Sequence, residues 1–318
     1  MHPTTPAAAS PAVARPPVPS DKAWASLITS DAYLPGLLTL NHALRGVGSS
    51  YPLVALYTPS LSAAALAALA ARAIPALAVP ALSPRSGKSY PDDPRFDDCW
   101  TKLVVFSLVG FARLVLLDAD MLPLRNMDEL MDLPLDADRR VFAAAHACVC
   151  NPLGKPHYPR AWVPRNCAFT AQHADPDAAQ VRAPDAAAGL GALNSGLLVV
   201  RPSHGLFDQI VGHMHANADR YTHPDQDLLA DLYRGRWVAL PYVYNALKTM
   251  PARGVHDAIW RPGSIKNVHY ILSPKPWEEL DQSGNWTGTD ETHAWWVEAN
   301  KERLRQEEGK GGSGVKDA

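Results

Sequence analysis

Apolar residues fall into two rhythms along this chain, and the alternation between them sets out the fold. Short unbroken runs at AWASLIT (23–29), YPLVALYT (51–58) and RLVLL (113–117) predict buried strands. Between them, AYLPGLLTLNHALRGV (32–47) spaces its apolar residues three and four apart and closes on Gly46 and Gly48, which predicts a helix. The alanine-rich SLSAAALAALAARA (60–73) predicts a second helix with Ser60 as its N-cap. FDDCWTKLVVFSLVGFA (96–112) predicts a third, directly before the RLVLL strand.

The same reading continues with a short helix at NMDELMD, a strand at RRVFAAAHA, and a resumed strand at ALNSGLLVVRPS. SHGLFDQIVGHMHANAD and HPDQDLLADLYRG then predict helices, the second opened by Pro224 at its first position. WVALPYVYNAL and KNVHYI predict late strands. Residues 147–190 interrupt the series; they are dense in Pro, Asn, His and Ala and too long for an ordinary connection, which marks an insertion or an acceptor lid. Strand and helix in alternation predict a single α/β domain over 21–300, with a mostly parallel sheet covered on both faces. A Pro/Ala-rich leader (1–20) and a charged, Gly-rich tail (301–318) are expected to stay flexible.

Composition sharpens this only by exclusion. With 318 residues, 47% of them hydrophobic and 19% charged, the chain has length enough for a full core. A net charge of -2 offers no basic field for nucleic acid or an anionic membrane. No apolar run is long enough for a membrane span and no secretory leader is visible, so a cytoplasmic protein is expected. The four cysteines, at 99, 148, 150 and 167, are too few for a disulfide framework. His146, Cys148, Cys150, His157 and Cys167 also admit a zinc reading, but C-x-C is not the usual C-x₂-C spacing, and reduced thiols packing the insertion are the expectation.

Asp118 and Asp120 follow RLVLL directly, at the carboxyl end of a central strand, where ligands of open sheets gather. Two carboxylates at this spacing can hold a hard divalent cation, or can simply cap the next element. Three further segments bear on the choice: SLITSDAY (26–33), LNSG (193–196) and VHYILSPKPW (268–277). Together with LLDADMLPLRN, and in this order over roughly residues 24 to 280, they resemble the nucleotide-sugar glycosyltransferases of family eight, the group that holds glycogenin and galactinol synthase.

That resemblance implies a Rossmann-like nucleotide-sugar-binding domain of the GT-A type and a retaining transfer of glucose or galactose from a UDP-sugar. It implies Asp118, Asp120 and His269 as ligands of Mn²⁺, with Mg²⁺ as the alternative. Lys275 matches the lysine that contacts the diphosphate, and Lys102 and Ala119 match further donor contacts. Leu27, Thr29, Ser30 and Tyr33 map onto the uracil- and ribose-binding segment. Asn194 and Ser195 match the N-S-G that bonds the donor sugar, while Asp225 and Gln226 match a D-Q pair facing the transferred sugar. An arginine used by glycogenin-like members falls at Asp93, with Arg95 two residues on.

Glycogenin glucosylates its own tyrosine, and Asn245 to Val268 holds none. The insertion is similar instead to the Cys- and Trp-bearing insertion of galactinol synthase-like members, which points to a small polyol or sugar acceptor. A homodimer is the assembly such relatives suggest. The competing readings are a UDP-sugar-binding scaffold without turnover and a haloacid-dehalogenase-type phosphatase. The second fits poorly, because its D-x-D stands near the chain start and is followed by Thr or Val, not Met-Leu.

Overall fold

A computed structural model describes residues 18–91 and 93–309. The expected leader lies outside them up to residue 17. The first strand, β1 (Lys22–Ile28), leads through a single 3₁₀ turn capped by Ser30 into α1 (Leu34–Gly46). Next come β2 (Leu53–Tyr57), α2 (Ala63–Ala71) and β3 (Ala76–Ala78). Ser62, not Ser60, caps α2: its hydroxyl accepts the Ala65 N–H, whereas the Ser60 hydroxyl donates to the Thr29 carbonyl. The helix expected over 96–112 is α-helical only in α3 (Phe96–Cys99) and continues as 3₁₀ winding through Trp100–Ser107, where the Ser107 hydroxyl donates back to the Val104 carbonyl.

The chain then runs through β4 (Arg113–Leu117), β5 (Met121–Pro123), β6 (Phe142–His146) and β7 (Leu193–Val200). It ends with α4 (His204–Asn217), α5 (Pro224–Leu232), β8 (Val238–Leu240), β9 (Ala246–Leu247), β10 (Asn267–His269) and α6 (Glu291–Gly309). The late strand expected at WVALPYVYNAL divides at Pro241 into β8 and β9, with a 3₁₀ turn over Tyr242–Tyr244 between them.

Seven strands form the main sheet in the order β3-β2-β1-β4-β7-β6-β8. All of its pairs are parallel except β4·β7 and β7·β6. Period-two alternation distributes each strand between two layers. Leu114 and Leu116 face the layer of α4 and α5, and Val115 and Leu117 face that of α1 and α2. Both faces are thus buried, and this is why RLVLL reads as a continuous apolar run.

A small sheet, β5-β10-β9, carries the third apolar cluster together with Cys150, Cys167, Trp296 and Val297. The residues of 147–190 lie beneath it as 3₁₀ turns at Pro164–Asn166, Ala168–Ala174 and Ala178–Gln180.

The tail expected to loosen from residue 301 remains helical to Gly309, and residues 310–318 of it lie outside the described ones. Its last turns are held by Glu307, which accepts two hydrogen bonds from Arg72, at 2.9 and 2.7 Å, and two from the buried Arg303. Burial favours the neutral acid, but the Arg72 hydrogen bonds and the Arg303 charge prevail and hold the Glu307 carboxyl below its ordinary value of 4.5. A depressed folded pKa stabilises above that ordinary value, and the benefit fades as pH falls through the folded one. Glu307→Gln is therefore expected to lower Tm most near neutral pH, and the gap to wild type should close below about pH 4. Thermal melts of both proteins across that range test this, and a gap independent of pH would refute the pairing.

Candidate active site

The turn Asp118-Ala119-Asp120 joins the two sheets, since β4 belongs to the large one and β5 to the small one. The antiparallel direction of β7 brings the start of that strand beside the end of β4, and Asp118 N–H donates to the Gly196 carbonyl at 2.8 Å. Antiparallel pairing of β5 with β10 sets Met121 opposite His269, and Tyr270 N–H donates to the Asp120 carbonyl. Three segments far apart in sequence therefore meet at one seam.

His269 Nε2 lies 3.3 Å from Asp120 Oδ1 and 3.7 Å from Asp118 Oδ2. Its Nδ1–H donates to Asn245 Oδ1 at 2.9 Å, which leaves the Nε2 lone pair facing the carboxylates. Asn245 in turn donates its amide to Asn194 Oδ1, which also accepts the Gly196 N–H. One ligand atom from each of Asp118, Asp120 and His269 falls within a 4.8 Å span. Two oxygens and an imidazole nitrogen fit a divalent cation such as Mn²⁺ better than a soft metal.

Two lysines, the buried Lys275 and the half-buried Lys102, flank this trio. Lys275 Nζ donates to Asp120 Oδ2 at 2.5 Å and to the Tyr270 carbonyl, while Lys102 Nζ reaches Asp118 at 2.9 Å and Asp225 at 3.8 Å. Burial disfavours an Asp120 carboxylate, but Lys275 and His269 outweigh it and hold the group well below the usual carboxylate range. Lys102 shows the same contest: burial lowers its pKa, Asp118 and Asp225 raise it, and it stays firmly charged. Asp225 behaves oppositely, because burial pushes its carboxyl up against the pull of Lys102. Its Oδ2 is buried without a hydrogen-bond partner among the described residues. The Lys102 ammonium, 3.8 Å away, is the nearest charge to it, and a ligand hydroxyl or water could still meet it.

A cleft opens over these groups. Of the residues singled out from sequence, Tyr33, Lys102, Asp118, Asp120, Asn194, Ser195, Asp225, Gln226, His269 and Lys275 line it. Leu27, Thr29, Ser30 and Ala119 are not in its wall. Leu27 packs into the core, the Thr29 hydroxyl donates to Asp98, the Ser30 hydroxyl accepts the Ala32 N–H, and Ala119 is buried beneath the turn. Arg95 does line the cleft, paired through two contacts with Asp93 and touching the Tyr33 hydroxyl.

Sequence reasoning missed the aromatic side of the cleft. Trp162 stacks on His223 with centroids 4.7 Å apart, and Tyr158 packs edge-on against both rings. The one available signal was the Pro-flanked tryptophan within the insertion. Asn245, which orients His269, carried no local sequence signal.

Residues 86–281 match the family model described as Glycosyl transferase family 8. The chain belongs to glycosyltransferase family 8. Glycogenin of Neurospora crassa is 25% identical over 279 residues, covering 86% of this chain but 34% of its own length, so the chain spans about a third of that relative. Galactinol synthase 1 of Solanum lycopersicum is 25% identical over 263 residues, covering 77% of this chain and 70% of that protein. Among solved structures, the galactosyltransferase LgtC in complex with donor and acceptor sugar analogues superposes with a TM-score of 0.59 at 16% identity, over 90% of this chain and 99% of that one. That likeness establishes the GT-A fold. No described helix is long and apolar enough to cross a membrane.

Proposed function

We propose that this family 8 glycosyltransferase moves a hexose from a UDP-sugar to a hydroxyl of a small polyol or sugar, with retention of configuration and with Mn²⁺ held by Asp118, Asp120 and His269. The observation that carries the reading is the convergence of these three side chains with Lys275 and Lys102 in one cleft, whose wall also bears Gln226 and Asp225, the latter 3.8 Å from Lys102 Nζ. Mn²⁺, when bound, supplies Lewis-acid neutralisation of the departing diphosphate.

The chain's own groups divide the remaining work. Lys275, buried and paired with Asp120, is placed to neutralise the leaving diphosphate without reorganising, which is where a fixed cation contributes most. Tyr33 stands edge-on to Trp277 at 5.7 Å and beneath the Lys275 ammonium, in the cleft wall where it would meet the uracil or ribose. Asn194 commits its carbonyl oxygen to Asn245 and Gly196, so its Nδ2 is the part left for a sugar hydroxyl. Asp225 and Gln226, at the start of α5, face the transferred sugar; Asp225 Oδ2, which makes no hydrogen bond among the described residues, suits a sugar hydroxyl or the positive charge that develops at the anomeric carbon. The acceptor enters past Trp162, Tyr158 and His223, an apolar ring face of the kind that packs against a polyol's C–H side.

The first experiment is calorimetric titration of UDP with and without Mn²⁺, followed by UDP-release assays across UDP-glucose, UDP-galactose and UDP-N-acetylglucosamine. Binding that requires Mn²⁺, and release from one sugar that quickens when inositol or another small polyol is added, are expected. Absence of UDP binding under any divalent ion would overturn the proposal; binding without turnover on any acceptor would favour the scaffold reading.

A further inference from the structure

Beneath the acceptor side of the cleft, three cysteines of the insertion converge on one histidine from a remote segment. The sulfurs of Cys148, Cys150 and Cys167 each lie 3.4 Å from His256 Nε2. All four candidate ligand atoms fall within 4.8 Å of one another. Cys150, Cys167 and His256 are buried and Cys148 is half-buried, so the group is closed to bulk water on most sides.

Simple packing of thiols does not account for this arrangement. One imidazole nitrogen has a single lone pair or a single N–H, and it cannot satisfy three sulfurs at once. A tetrahedral ion with sulfur ligands at about 2.3 Å and an imidazole nitrogen at about 2.0 Å would hold those atoms about 3.6 Å apart, close to what the four side chains already show. On its far side, His256 Nδ1 lies 2.9 Å from His173 Nε2. In the tautomer that donates Nδ1–H to His173, the His256 Nε2 lone pair points into the group of sulfurs, as an outer hydrogen bond does for metal-bound histidines.

We propose that Cys148, Cys150, Cys167 and His256 form a structural Zn²⁺ site, separate from the Asp118, Asp120 and His269 cluster. Four protein ligands leave no open position, so the ion would staple the fold, not take part in the transfer. On binding, the three thiols ionise and release three protons to solvent, giving a Zn²⁺ centre with three thiolates and one neutral imidazole. His146 and His157 take no part: both His146 nitrogens lie against backbone carbonyls, of Ala192 and Asp185, and the His157 ring packs on Tyr158. The ion would link the start and the middle of the insertion, whose regular structure is a few 3₁₀ turns, to the irregular segment that precedes β10.

The test uses untagged full-length protein purified under reducing conditions without added metal and dialysed against EDTA. Elemental analysis is expected to find about one zinc per chain, released only as a mercurial titrates three thiols. Co²⁺ exchanged into the protein should show thiolate-to-cobalt charge-transfer bands and intense tetrahedral visible bands, which an oxygen-and-imidazole site does not give. His269→Ala should leave the zinc in place, whereas Cys167→Ser should reduce it to below about a tenth of an equivalent. Metal-free wild-type protein with freely titrating thiols and no thiolate–cobalt bands would overturn the proposal, as would iron in place of zinc. These readouts do not depend on transferase activity, so they stand or fall apart from the assigned reaction.

Discussion

Asp120→Ala is expected to abolish Mn²⁺-dependent UDP binding and to lower transfer on the order of 10³-fold or more, because it removes a proposed metal ligand and the orienting partner of Lys275 together. It should also be costly to the fold. Lys275 is 3% exposed, and without Asp120 its ammonium keeps the Tyr270 carbonyl and the face of the Tyr33 ring but no counter-charge in contact. Removing one partner of a buried pair typically costs about 3–5 kcal/mol, much of it the penalty of the charge left behind. The double variant Asp120→Ala/Lys275→Met removes that stranded charge, so denaturation should recover most of the lost stability while transfer stays absent. Asp120→Ala with wild-type Mn²⁺ dependence of UDP affinity would remove Asp120 from the metal site. A double variant no more stable than the single one would show that the pair contributes little to folding.

Gly196→Ala is the second substitution with a large expected effect, and it touches no ligand directly. A Cβ at this position would stand 2.3 Å from His269 Cε1, 2.8 Å from its Nδ1 and 2.9 Å from Met121 Cε. His269 cannot swing away cheaply, since it is buried and its Nδ1–H is committed to Asn245. Overpacking of this kind costs about 1–3 kcal/mol, and displacing the orientation of a metal-binding histidine weakens metal affinity by about 10- to 100-fold. Gly212, within α4, meets nothing within 4 Å of an added Cβ and is the matched control. Gly212→Ala should be neutral or stabilise by up to about 1 kcal/mol through helix propensity. Mn²⁺ titrations and melts of the two variants check this; equal behaviour would mean that close packing at Gly196 does not set the histidine.

This glycine also shows what could be read from the sequence and what could not. The LNSG segment was legible as a site element, and its Asn194 and Ser195 line the cleft. The need for glycine was not legible, because it arises from a contact with a residue 73 positions further on. Strand β4 and the acidic pair were plain, since a run buried on both faces ending in two carboxylates leaves few alternatives. Pro224 likewise gave the start of α5 correctly.

Direction was harder to read than position. Periodicity reports which residues are buried, not which way a strand runs, so the antiparallel insertion of β7 into an otherwise parallel neighbourhood left no trace in the pattern. Helix α6 was missed because its inward stripe includes Asn300 and Arg303 beside Trp296 and Val297, and buried polar groups break the apolar rhythm. The partner of the insertion's cysteines was invisible for the reason that hid the role of Gly196. His256 lies 89 to 108 residues beyond them, and no local spacing announces it.

The insertion leaves from the end of β6 and returns at the start of β7, and these two points are neighbours, with His146 paired to Leu193. A loop whose stems are already clasped can change length at little entropic cost, about 0.6 kcal/mol per doubling. On the function proposed above, the groups that hold the diphosphate hang from other strands, so the insertion would serve as an interchangeable acceptor cassette on a fixed donor platform. Transplanting residues 148–191 between family members is therefore the economical way to exchange acceptor preference while the donor chemistry is left where it stands.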